Sequence, residues 1–130
     1  MPIIYSIDEV QRRLTVVATG SISYSEIITH LEREREDDAL PFRELIDATQ
    51  ATLALSSQEI RQVVNKLRTL GHQYALGPTA IVVTNDFGYG MMRMLGILVE
   101  EDCDICPFRN SGEAEKWVNS VAIRCPPTRE

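Results

Sequence analysis

The residues best placed to do chemistry are two hydroxyls, Ser56 and Ser57, which open a helical pattern shortly after a strand-like stretch, Leu45-Ile46, that ends in Asp47. The first turn of a helix leaves backbone N–H groups unpaired and carries the positive end of the dipole. Such a strand-to-helix switch suits anion binding, phosphorylation or partner docking. Ser56 and Glu59 also match a capping box, in which the serine accepts from the N3 amide and the glutamate reaches back to the cap amide. Capping is the commoner use of serine at such a place, and a docking or regulatory role is the alternative. Thr49, in the connector behind Asp47, adds a further hydroxyl.

A second group follows the apolar run over residues 80–83. Thr84, Asn85, Asp86, Gly88 and Gly90 stand between this run and a helix, where backbone amides could cradle a phosphate. The G-x-G spacing falls short of a dinucleotide fingerprint, because Gly96 comes too late to be its third glycine. Arg93, one turn into the helix, is the expected anion partner, since a guanidinium can hold two oxygens at once. Met91, Met92 and Met94 make this helix soft and adaptable. Core filling is their first use, but Met94 and Tyr89 turned outward would form an apolar patch for dimerisation or a greasy ligand.

Cys103 and Cys106 have C-x-x-C spacing, yet they enter a strand rather than open a helix and supply only two of the four ligands of a structural zinc. With Cys125 they read as free thiols. His30 lies beside the apolar stripe of the first helix and His72 just past the second, and neither stands at a spacing that pairs it with Ser, Cys or Asp. No catalytic residue, metal or cofactor is assigned from them.

The elements that must position these residues are legible from periodicity. Residues 3–7 and 14–19 are β-branched-rich runs that predict a hairpin, left by the chain at Gly20. Ser23 and Glu26 form a capping box for a helix with Tyr24, Ile27, Ile28 and Leu31 on its inward face. The charged residues 32–38 read as its solvated end, and residues 42–48 as a third strand. Ile60, Val63, Val64, Leu67 and Leu70 face inward on the second helix, which Gly71 is expected to stop. Residues 80–83 predict a strand in the sheet centre. Met91, Met92, Leu95, Leu98 and Val99 face inward on the third helix, a last strand runs near 104–109, and Ser111 caps a final helix carrying Ala114, Trp117 and Val118. The fold class is therefore α/β, in the order β-β-α-β-α-β-α-β-α. It predicts a mixed, mostly parallel sheet with an N-terminal antiparallel pair and about four helices. Residues 1–120 are expected to form a single domain, with 121–130 as a C-terminal tail.

This order, and the junction Leu45-Ile46-Asp47 followed by Leu55-Ser56-Ser57-Gln58, resemble the STAS domain of bacterial anti-sigma-factor antagonists and of the cytoplasmic parts of sulfate transporters. The resemblance covers roughly residues 3–119 and is that of a diverged branch. In that family the helix opens with Asp-Ser-Ser-Gly and one serine is phosphorylated by a partner kinase, which implies Ser56 or Ser57 here. Leu55 stands where the family has the acidic residue and Gln58 where it has glycine.

Composition narrows the function further. Of 130 residues 44% are apolar and 25% charged, which fits an ordinary globular chain, and the net charge of −6 argues against nucleic acid, whose phosphates call for a basic surface. No window approaches a membrane span or a signal peptide, and three cysteines fit a reducing compartment, so a soluble cytoplasmic protein is expected. The expected function is a non-enzymatic regulatory or protein-interaction module, with docking centred on the start of the second helix, a protein partner, and a homodimer as one arrangement. The alternative is a small-molecule binder, for an anionic or nucleotide ligand or an apolar one, built on residues 85–90 and the Met-rich helix.

Overall fold

The computed structural model describes residues 2–125. Its elements are β1 (Ile3–Asp8), β2 (Arg13–Ser23), α1 (Tyr24–Glu36), β3 (Arg43–Ala54), α2 (Ser57–Gln73), β4 (Thr79–Val82), α3 (Asp86–Leu98), β5 (Ile105–Phe108) and α4 (Ser111–Ser120). The order is the one expected. The strands lie side by side as β1-β2-β3-β4-β5, antiparallel between β1 and β2 and parallel thereafter. β3 is therefore the middle strand, and β4, expected at the centre, lies between it and the edge strand β5.

Side-chain alternation assigns the two faces of the sheet. Ala80 and Val82 of β4 pack against Ala114 and Val118 of α4. The other face carries Ile81 and Ile105 under α1, α2 and α3, with Leu31, Val63, Leu67, Met91 and Leu95 in one apolar cluster. Arg43 ties α4 to β3 from below, donating to the carbonyls of Val118 and Val121, each at 2.6 Å. Arg124 binds the Asp104 carboxylate with two nitrogens at 3.0 and 3.1 Å. Residues 126–130 of the expected tail lie outside the described residues.

Several expected boundaries move, each for a local reason. The chain does not leave the hairpin at Gly20. That glycine adopts φ 74° within β2, which continues to Ser23, and Ser23 caps α1 with the expected box to Glu26. β3 follows β2 residue by residue up to the pair Ser23↔Ala54, so the connector after Asp47 is strand, with a register shift opposite Val17/Thr19. Gly71 does not stop α2, which runs on to Gln73. A Cβ on Gly71 would stand 2.6 Å from the Asp102 Cβ, so its bareness admits a neighbouring side chain. On α3 it is Gly96 and not Leu98 that faces inward, since a Cβ at 96 would lie 2.3 Å from the Ile105 carbonyl oxygen, while Leu98 is exposed. Asn110, one residue before Ser111, caps α4.

Candidate functional site

Between the sheet and the three helices of one face lies a cavity of about 230 Å³. Its walls are aliphatic: Val16 and Ile46 below, Ile27 and Leu31 from α1, Ile60 and Val63 from α2, and Met91 and Met92 from α3. Phe87, 70% exposed, reaches it from the first turn of α3, and Leu55 from the residue before the N-cap of α2. The few polar groups on its surface include His30, Glu44 and Thr79. The cavity is concave, apolar and partly open to solvent, the character of a surface that takes small molecules.

The polar groups are organised. His30 Nε2 lies 2.8 Å from Glu44 Oε2 and 2.7 Å from Glu34 Oε1, and all three residues are buried. Thr79, paired with Glu44 across β3 and β4, donates from Oγ1 to Glu44 Oε1 at 3.0 Å. The Tyr5 ring stands edge-on to the imidazole at 5.4 Å. Burial alone would lower the His30 pKa, but the Glu34 and Glu44 carboxylates in contact with Nε2 outweigh it and raise it to about 10. Burial, reinforced by the neighbouring Glu44 charge, holds the Glu34 carboxyl well above its ordinary range. Glu44 stays below its ordinary range despite burial, because His30 pairs with it. A perturbed polar group beside a concave apolar surface marks a site by physical criteria.

This cluster was not among the sequence candidates, and Glu34 corrects the reading of residues 32–38 as a solvated end, since it is 4% exposed. The signal was present. His30 follows the inward Ile27 by three residues and Glu34 follows His30 by four, so both lie on the buried stripe. Glu44 precedes Ile46 by two and shares its strand face.

The candidates from sequence separate into three places. Ser56 is the N-cap of α2: its hydroxyl accepts from the Glu59 amide at 3.1 Å and Glu59 Oε1 accepts from the Ser56 amide at 2.9 Å. Ser57, next to it, is exposed and is not the capping residue. Asp47 accepts from the amide and hydroxyl of Thr49 at 3.0 and 2.7 Å, bonds that hold its carboxyl below the ordinary range, and Thr84 donates to the Thr49 carbonyl at 3.4 Å. Asn85 and Gly88 line the cavity.

Residues 85–90 form no loop. Asn85 caps α3, its Oδ1 accepting from the Gly88 amide at 2.6 Å, and Asp86, Gly88 and Gly90 lie within the helix. Arg93 is exposed on the next turn. The cation at this helix start is Arg109, 2.6 Å from Asp86 and stacked 4.6 Å over the Tyr89 ring. Tyr89 is accordingly half-buried, while Met94 faces outward rather than filling the core, with Phe87, Ile97 and Leu98 exposed on the same helix. Cys103 is buried, and that burial pushes its thiol up to about 12.

No helix among the described residues is long and apolar enough to cross a membrane. No family model matches the chain, and no curated protein does. Among solved structures, the chain is similar to an uncharacterized protein of the DUF3478 family with a SpoIIAA-like fold from Shewanella loihica PV-4, at 17% identity and a TM-score of 0.60. The match covers 89% of this chain and 93% of that one. A mixed five-stranded sheet with its first pair antiparallel and four helices, in the order expected of a STAS domain, is thus the SpoIIAA-like fold.

Proposed function

We propose that this chain is a non-enzymatic, STAS-like regulatory module whose working site is the cavity under α1, α2 and α3, and that it takes a small, mostly apolar molecule carrying one polar group. The observation that carries this reading is the cavity itself, aliphatic on nearly every side with His30, Glu44 and Thr79 among its few polar contacts. Its volume admits on the order of eight heavy atoms, counting about 30 Å³ for each. The methionines of α3 suit such a wall because they repack around differing shapes. Native mass spectrometry of the protein purified from its own host tests the reading. A retained small organic molecule supports it, and a bare chain that also takes up no small apolar compound on addition counts against it.

A second reading, docking of a protein partner at the start of α2, is favoured by one observation: Ser56 does the capping, so the exposed Ser57 hydroxyl is left to be recognised or phosphorylated. The exposed side of α3, with Phe87, Met94 and Leu98 at helical spacing, would extend that surface or pair two copies. Once a partner is captured, Ser57→Asp should change its binding, and unaltered binding would remove this reading.

A further inference from the structure

We infer that His30, Glu34 and Glu44 form a binding site for one divalent first-row transition cation, held between α1 and β3 at the edge of the cavity. One nitrogen and two carboxylate oxygens lie within 4.8 Å of one another. His30 and Glu34 come from successive turns of one helix and Glu44 from the strand beneath, so two rigid elements present the set.

Hydrogen bonding does not fully explain the geometry. His30 Nε2 carries at most one proton, yet it lies 2.8 Å from Glu44 Oε2 and 2.7 Å from Glu34 Oε1. The proton serves Glu44, and Glu34 Oε1 has no hydrogen-bond partner although Glu34 is 4% exposed. A buried acceptor left in this way is costly and calls for an explanation. A cation bonded at about 2.0–2.2 Å sets neighbouring ligand atoms roughly 3–3.5 Å apart, so the two separations from His30 Nε2 need to open by about half an ångström.

Charge and ligand type agree. A neutral imidazole and two carboxylates sum to −2, which a divalent cation cancels, and a burial without net charge avoids the large penalty of a lone buried ion. One imidazole with two carboxylates suits Zn²⁺, Fe²⁺ or Mn²⁺, whereas Ca²⁺ and Mg²⁺ prefer oxygen alone. Thr79 fixes Glu44 by donating to its outer oxygen, as the supporting shell of a metal ligand does. His30 and Glu44 border the cavity and Glu34 does not, so the cavity is the side from which water or a ligand would complete the coordination. The site is independent of the proposed organic ligand, because the cation rests on these three side chains whether or not the apolar space is filled.

The full chain, stripped with a chelator and dialysed, is titrated separately with Zn²⁺ and Co²⁺ and followed by calorimetry, thermal unfolding and, for Co²⁺, visible absorption. One equivalent should bind, Tm should rise, and Co²⁺ should develop ligand-field bands. Glu34→Gln and Glu44→Gln, which keep side-chain shape, should each weaken binding at least tenfold, with circular dichroism reporting that they fold. His72→Ala removes the exposed pair of His72 with Asp102 at 3.4 Å and should leave binding unchanged. Absence of binding by the wild-type chain, undiminished affinity in either glutamine variant, or loss of binding in His72→Ala would each overturn the inference.

Discussion

His30 of α1 and Glu44 of β3 meet at 2.8 Å, and through that contact the first helix is fastened to the middle strand beside the cavity. The contact is buried on both sides, so each partner depends on the other for solvation.

Breaking the pair from one side should therefore be far worse than removing it whole. Glu44→Ala strands the imidazole in an apolar setting and should cost about 3–5 kcal/mol, measured by urea unfolding of the metal-free protein. Replacing His30, Glu34 and Glu44 together by leucine should leave stability near wild type or raise it. Equal losses in the two variants would mean that the cluster is not a coupled unit.

The metal-free protein should also lose stability as it is made alkaline. The folded His30 pKa of about 10 exceeds its ordinary value of 6.5. Its contribution is thus fully present below 6.5 and is lost as the pH rises toward about 10. Glu34, also raised, acts in the same direction from its own ordinary value of 4.5 upward. Glu44, lowered, acts oppositely and loses its contribution as the pH falls below the carboxylate range. Tm measured from pH 6.5 to 10 should fall steadily in wild type and much less in the triple-leucine variant. Parallel slopes in the two proteins would contradict this assignment.

The two serines at the start of α2 should separate cleanly. Ser56→Ala removes the cap and its reciprocal partner and should cost about 1 kcal/mol. Ser57→Ala, at an exposed non-capping position, should stay within about 0.5 kcal/mol. Chemical denaturation of both variants checks this, and a larger loss at 57 than at 56 would reverse the two roles.

Gly96→Ala should push α3 off β5, because the new Cβ would stand 2.3 Å from the Ile105 carbonyl oxygen, a backbone atom with no rotamer to move into. A loss of about 1–3 kcal/mol is expected by thermal or urea unfolding. A neutral result would mean that the helix sits further from the strand.

These residues also mark how far the sequence could be read. Order and type of the elements were legible because apolar periodicity and the capping boxes at Ser23 and Ser56 are local signals. The length of β3 was not, since its extension to Ala54 depends on β2 running beside it. Glycine misled where its use was tertiary: Gly71 admits Asp102 from a distant segment rather than ending the helix, and the close approach of Gly96 to Ile105 left no local signal. The same limit hid the cluster. Glu34 looked like surface charge and His30 stood without a partner because only the fold brings Glu44 beneath them, and residues 85–90 looked like a loop because their glycines masked a helix that Asn85 already caps.

The most direct measurement is methyl-resolved NMR of the full chain titrated with 1-octanol, an apolar chain ending in one hydroxyl. Saturable shifts of methyls on Ile27, Leu31, Ile60, Met91 and Met92, with Val118 of α4 on the other face of the sheet unmoved, are the predicted result. Shifts confined to the exposed Met94, Ile97 and Leu98, or none at all, would contradict a ligand-binding cavity.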